Sequence, residues 1–509
     1  MTHAMPASRG QQVFLKVQLL LFSIFVVLNA VLFLNAVPVL HDSHDLDLTH
    51  PVYAGAADGQ RYWGVAKTLI DDGTFRYAYE PGDLRPLKRG GPIPAIVFAG
   101  LMSLSSFEDA PLLIICFQAL LLFATSLLSR TLATPFSISK NLVQGLVLFN
   151  PSLIGLVHHA QSEILFLFFF TSVLFFSIRL LTDIQPNRYL FIGMGMCVGL
   201  LLLTRPAGLL FVLSLPLVLF GVIYLFHRDF SKAARVLAFQ LFPMSLVATL
   251  VVVPWSFYNY AEFGTNGFSS SGEPVLSLNH HLLVAVSESS KNARPSRQVA
   301  ADLLDQATVK GVSPCCVLSA YSHLASQDEH LSRHQCNSRT LPDDCNSVLS
   351  SLHFAAIKGY GLVDWGHALA RAWASTFLGG GIFPIADYLG FPVPSNDVLG
   401  KKYYGPDSFV DYLTRSIKGY PGYLVLFFIG FAFALVCRIL DLVGLAASIR
   451  TPALIPHHVL YLSAIVIFTL TYAFIGVSRF RAHLEPILAI YTVLGMTVLF
   501  RHFRKPHDR

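Results

Sequence analysis

Charge is what this sequence lacks. Only 13% of its 509 residues are charged, where a soluble domain carries about 25%. With 54% hydrophobic residues and a mean hydropathy of +0.57, that deficit excludes an ordinary soluble chain and implies an all-α polytopic membrane protein. No basic run with interleaved aromatics occurs, and the net charge of +6 is small. A nucleic-acid surface is therefore excluded, and the cations are left for membrane-flanking loops. Internal repeats and low-complexity linkers are also missing. No paired CxxC spacing occurs, which argues against a structural zinc site.

What is present is a series of long apolar runs. The first, residues 13–38, exceeds a signal-peptide core and lacks a small-residue exit, so it is expected to stay as an anchor. Further spans are expected near 110–129, 141–157, 163–182, 189–204, 206–226, 236–256, 422–441, 456–476 and 485–501, ten in all. Basic residues cluster between alternate spans: Arg130 with Lys140, Arg179 with Arg188, the group from His227 to Arg235, and Arg438 with Arg450, followed by the tail RHFRKPHDR. With both termini cytoplasmic, all of them fall inside, as the positive-inside rule requires. The proline-containing run 91–107 and the segment 373–390 must then be short re-entrant or interfacial helices, because a full span at either would invert every later loop.

This parity leaves two large external regions. The expected organisation is an N-terminal membrane module, 1–256, with a first external loop at 39–109; an external region, 257–421; and C-terminal helices with a basic tail, 422–509. The second external region carries Cys315, Cys316, Cys336 and Cys345, which fit disulfides in an oxidising compartment. The polar run HDSHDLDLTH (41–50) holds three histidines and three aspartates; a solvated loop explains it better than a metal site.

Several charges sit where a membrane protein avoids them. Glu163 opens a span, Arg205 lies between two spans, and Arg479 and Arg481 precede the last. An ionised group at the membrane centre costs about 2.5–3.5 kcal/mol on insertion scales, so four of them at one face imply a site. Arginines suit a phosphate. An acid at the same level suits a base or a divalent metal held by Asp58 and Glu163. Downstream of Asp58, the residues Tyr62, Trp63, Val65, Ala66, Leu69 and Ile70 recur at helical spacing, which predicts an amphipathic helix on the outer leaflet. His158 and His159 are expected to line the site.

Blocks of sequence then acquire a family likeness. They are ADGQRYWGVAKTLIDDGTF with Asp58 and Tyr62, KRGGPIPAIVFAGL with Pro92 and Pro94, NPSLIGLVHHAQSEILFLFFF with Glu163, and GLLLLTRPAGLLF with Thr204, Arg205 and Pro206. PWSFYNYAEFG with SSSGEPVLSLNHHL contributes Trp255, Asn259, Phe263, Gly264 and Asn279, and SRFRAHLEPILAI closes the series. In order and spacing they resemble the GT-C superfamily of membrane glycosyltransferases, and within it the branch of protein O-mannosyltransferases and the lipid A aminoarabinose transferase. The likeness covers most of 13–285 and returns at 456–501. Tyr258 stands where relatives commonly have arginine, and 290–420 matches no part of the family.

The resemblance implies a GT-C-like bundle with external juxtamembrane helices. It also implies inverting transfer of a sugar from a polyprenyl-phosphate donor to a hydroxyl on a lipid, glycan or protein, at the outer face of a plasma (inner) membrane. Asp58 is the expected base, and Glu163 the second acid. Arg205, Arg479, Arg481, Lys88 and Arg89 are expected to bind the donor phosphate. Tyr62, His158, His159, Asn259 and Asn279 are expected to line the site. A divalent cofactor remains open. A lipid-linked-sugar transporter or flippase is the alternative, as is a non-catalytic partner subunit of the same fold; a transporter typically places charges near the midplane and often carries repeats.

Overall fold

The computed structural model describes residues 9–36, 57–78, 84–87, 91–105, 109–182, 188–263, 282–283, 286, 296–309, 345–391, 419–472 and 478–504. Hydrocarbon offers the backbone no hydrogen-bond partners, so apolar runs of this length close their own bonds as helices. Eight helical segments among the described residues are long and apolar enough to cross a membrane. In chain order the helices begin with α1 (Arg9–Ala36), α2 (Ala57–Asp71), α3 (Ile93–Ser103), α4 (Ala110–Leu132), α5 (Lys140–Leu148), α6 (Pro151–Val157), α7 (Glu163–Thr182), α8 (Arg188–Thr204), α9 (Leu209–His227) and α10 (Phe230–Phe263). They continue with α11 (Ser296–Val309), α12 (Cys345–Ile357), α13 (Leu362–Leu378), α14 (Phe383–Tyr388), α15 (Pro421–Ser448), α16 (Ile455–Thr471) and α17 (Glu485–Arg504). One small antiparallel hairpin pairs β1 (Arg76–Ala78) with β2 (Leu84–Pro86), Tyr77 opposite Arg85.

The run 189–204 forms α8, a single apolar helix of 17 residues, at the short end of the length that crosses a membrane. One of the ten expected spans takes another form. The run 141–157 breaks in two, because Pro151 opens α6 and Asn150 caps it, accepting from the Ser152 and Leu153 amides at 3.0 and 3.4 Å. The expected short helix within 91–107 is α3, 11 residues long, roughly 16 Å and too short to span. In 373–390 the chain leaves helix at Gly379 and re-enters for only the six residues of α14. The last long helix before the central region runs to Phe263, so the expected loop from 257 begins as helix. Arg438 also departs from its expected place as a loop charge. It lies within α15, with Nε 3.1 Å from Asp441 and Nη2 3.5 Å from Glu485 of α17.

The core is aromatic where α7, α9 and α16 meet. Phe170, Phe211 and Phe468 form a triangle with centroids 4.9–5.5 Å apart, in the favoured range for ring pairs. Helices elsewhere approach through glycine, since lipid offers no hydrophobic drive for association. Gly195 and Gly199 of α8 press on Met244 and Val251 of α10. Gly444 of α15 and Gly495 of α17 face one another's backbones: a Cβ on Gly444 would lie 2.2 Å from the Tyr491 carbonyl oxygen. Gly444→Ala is therefore expected to push α15 from α17 and destabilise the protein by about 1–3 kcal/mol. Thermal unfolding in detergent measures it, and an unchanged midpoint would show that the crossing tolerates a methyl group.

The first loop is pinned to the bundle rather than spread on a surface. In α2, Tyr62, Trp63, Val65 and Ala66 are buried, while Ile70, expected on the same apolar face, is 45% exposed. Phe75 packs edge-on against Trp255 and Tyr258 of α10 at 5.1 and 5.3 Å, and those two rings stack on each other. The Phe75 amide donates to the Tyr258 hydroxyl at 3.4 Å, and Arg76 pairs with Glu262. Tyr258, the departure from the family pattern, is thus a docking residue for this loop.

Candidate active site

Glu163 is the first residue of α7 and only 1% exposed. Arg205 follows α8 in extended conformation, φ −150° and ψ 130°, just before Pro206 turns the chain into a short 3₁₀ segment. Arg479 lies in the 3₁₀ turn Ser478–Leu484 that leads into α17. These three segments meet at one end of the bundle. One Glu163 oxygen, Oε1, lies 2.7 Å from Arg205 Nη1 and 3.8 Å from Arg479 Nη1. The closer contact is an ion pair without an aligned hydrogen bond, and Oε2 has no hydrogen-bond partner. Both guanidinium groups lie over the Phe480 ring, at 5.6 and 5.1 Å from its centroid. Phe480 in turn stacks on Tyr472 at 4.1 Å and 10°. The buried ring gives the two cations a common apolar platform.

Buried polar atoms without hydrogen bonds gather in the same segments. Both ring nitrogens of His159 lack a partner, as do both of His483 and the side-chain oxygen of Gln161. Such groups are costly in an apolar interior and mark a place where a polar ligand or water completes the bonding. Burial, reinforced by the charge of Arg479, pushes His159 down to about 4. Burial and the neighbouring His159 push His158 down to about 3. Both imidazoles are therefore neutral at neutral pH. His158 faces the interior: Nε2 is 2.9 Å from Asn29 Oδ1 of α1, and Tyr388 of α14 donates to its backbone carbonyl. His158 holds helices together, while His159 belongs to the cluster.

The expected site residues thus fall into three groups. Glu163, Arg205 and Arg479 come together, and the charge of Arg479 reaches His159. Arg481 does not join them. Its Nε donates to Glu485, Nη1 donates to the carbonyls of Thr376, Phe377 and Gly379 at 2.9, 2.6 and 3.0 Å, and Nη2 donates to Ser152 Oγ at 3.3 Å. It caps the C-terminal end of α13, so its donors are used within the protein and not on a phosphate. Tyr62 and Asn259 are buried, in α2 and α10. The side chains of Asp58 and Cys345, and residues Lys88, Arg89, Asn279, Cys315, Cys316, Cys336 and 41–50, lie outside the described residues. The Gly91 amide donates to the Thr204 carbonyl at 3.3 Å, and a Cβ on Gly91 would sit 1.6 Å from the Leu203 carbonyl oxygen. Gly91 is therefore held against the end of α8, next to Arg205.

The described residues do not form a divalent-metal site. No group of three histidine, cysteine, aspartate or glutamate side chains with suitable spacing occurs among them. Glu163 shares one oxygen between two guanidinium groups, which would repel a dication at the same oxygen. Phe480 and His483 are functional candidates that pattern reading passes over. The only signal was an aromatic ring set between two arginines in SRFRAHLEP.

No family model and no curated protein matches the sequence. Solved structures do. The apo oligosaccharyltransferase of Archaeoglobus fulgidus superposes with a TM-score of 0.51 at 14% identity, over 96% of this chain and 51% of that one. The likeness is one of fold: this chain shares the helical membrane architecture of that enzyme. The oligosaccharyltransferase AglB from the same archaeon, in complex with an inhibitory peptide and a dolichol-phosphate, gives 0.46 at 14% identity over 89% and 48% of the two chains. ArnT from Cupriavidus metallidurans, bound to undecaprenyl phosphate, gives 0.36 at 16% identity over 97% and 79%. This chain spans about half the length of the archaeal oligosaccharyltransferases. It is an integral membrane protein, and the Glu163 cluster stands where the start of α7, the end of α8 and the turn before α17 meet.

Proposed function

We propose that this chain transfers a sugar from a polyprenyl-phosphate donor to a hydroxyl acceptor at the external face of the membrane, with inversion. The observation that carries the reading is the pair of arginines, drawn from two distant parts of the sequence, that converge over Phe480 at one end of a GT-C bundle. A lipid phosphate arriving from the bilayer meets two guanidinium groups in a site of low dielectric, where they act far more strongly than in water. The basic residues Arg130, Lys140, Arg179, Arg188 and Arg450 lie at the opposite helix ends, which supports cytoplasmic termini and an external site.

In the reaction, Asp58 takes the proton of the acceptor hydroxyl. The acceptor oxygen forms its bond to the anomeric carbon as the bond from that carbon to the phosphate oxygen breaks. The electron pair stays on the phosphate, where Arg205 and Arg479 stabilise the growing charge, with Lys88 and Arg89 as further cations. A phosphate leaving group needs no general acid. The neutral His159, Gln161 and the unpartnered Oε2 of Glu163 are suited to sugar or acceptor hydroxyls, which both donate and accept.

Asp58→Asn tests the base. Transfer is expected to fall by about a hundredfold or more with expression intact. Release of free polyprenyl phosphate, followed in lipid with a panel of labelled polyprenyl-phosphate sugars, measures it and identifies the sugar. Full activity in the variant would remove Asp58 as the base. No release from wild type with any donor, cell extract supplied as acceptor, would turn the reading towards a transporter or a non-catalytic partner subunit.

A further inference from the structure

We propose that Glu163 selects ligands by charge, favouring a phosphodiester monoanion over a phosphomonoester dianion, so that the site holds donor and lets product go. The inference rests on the transferase reading above. Donor and product differ chiefly at the phosphate. In the donor it is a diester with one negative charge. Once the sugar has left it is a monoester, whose second ionisation lies near pH 6, about that of other phosphate monoesters. Arginines alone bind the dianion more tightly, and would retain the spent lipid.

The geometry of Glu163 opposes that. Its Oε1 is 2.7 Å from Arg205 and 3.8 Å from Arg479. A phosphate that reaches these two guanidinium groups therefore comes within a few ångströms of a carboxylate. The carboxylate cannot swing away into solvent, because the side chain is 1% exposed at the start of α7. Nor can the cations easily leave it, since both rest on the Phe480 ring. Repulsion from one fixed negative charge is twice as large for a dianion as for a monoanion at the same place. Glu163 thereby penalises product more than donor, whatever other charges surround the site.

The test is equilibrium binding to the full-length protein in lipid nanodiscs at pH 8. The two probes are undecaprenyl phosphate and its methyl phosphodiester. In Glu163→Gln the monoester-to-diester affinity ratio is expected to rise by about tenfold or more over wild type, while Glu163→Asp, which keeps the charge, keeps the wild-type ratio. If Glu163→Gln does not fold, the same exchange is made in an Arg479→Gln background, where one fewer cation is left uncompensated, and is compared with Arg479→Gln alone. Tight binding of both probes with an unchanged ratio would overturn charge selection and leave the transferase reading standing. Failure of wild type to bind either probe would overturn that reading and this inference together.

Discussion

Arg205→Gln is expected to lower transfer by about a hundredfold to a thousandfold, the usual effect of removing one preorganised donor from a developing anion. Three features of its position support so large a figure. Its guanidinium is held by Glu163 on one side and by the Phe480 ring below, so it is aimed before the donor arrives and little reorganisation accompanies the reaction. It stands just past the end of α8, next to the Thr204 carbonyl that accepts from the Gly91 amide, so its backbone is fixed on both sides. And its side chain is only 13% exposed, so solvent replaces the lost cation poorly. Folding is expected to survive, because Arg479 remains 3.8 Å from Glu163 and a glutamine amide can donate to the vacated oxygen. The check is release of polyprenyl phosphate by a variant whose thermal midpoint matches wild type. Arg205→Lys should retain part of the activity, as a point charge without the planar fork. Wild-type turnover in Arg205→Gln would remove this residue from the phosphate site.

Arg481→Met is expected to act on stability instead, by about 3–5 kcal/mol, the cost of breaking a buried charge pair from one side. Arg481 is 3% exposed. Its loss leaves the carbonyls of Thr376, Phe377 and Gly379 without the arginine donor, and Ser152 Oγ with the Gly380 carbonyl, to which it donates at 3.3 Å. Among the described residues, Glu485 is then left with Arg438, at 3.5 Å. The damage should spread along α15 and α17, because Arg438 also holds Asp441, which accepts from Thr492. Thermal unfolding with and without donor lipid separates the two arginines: Arg481→Met lowers the midpoint in both conditions, while Arg205→Gln removes only the shift that donor lipid produces. A stable, inactive Arg481→Met would return Arg481 to the phosphate site.

Most of the bundle was legible as hydropathy, because a membrane forces apolar runs of about 20 residues into helices whatever their neighbours do. The short helix within 91–107 was legible through topology, since a span there would invert the later basic loops. Local chemistry also reads well where it is local, and the Asn150–Pro151 pair announces a helix start inside 141–157. That break was nevertheless missed, because a window of hydropathy averages over it.

The site divides in the same way. The sequence by itself determined that this chain crosses a membrane many times and that it carries costly charges at the helix ends opposite its basic loops, in an order that resembles the GT-C pattern. It also placed Glu163, Arg205 and Arg479 in the set. What only the tertiary structure decided is which charge meets which. Arg479 and Arg481 are two residues apart in one 3₁₀ turn, and with three residues per turn they project to different sides. One reaches Glu163; the other reaches Glu485 and the end of α13. Arg438 reads as a loop charge but lies inside α15 and bridges to α17. Periodicity orders residues around their own helix axis, whereas pairing depends on how separate axes are set against one another. That arrangement is fixed by close packing at Gly444 and Gly495 and by the aromatic contacts of Phe170, Phe211 and Phe468, long-range contacts that no local window of sequence contains.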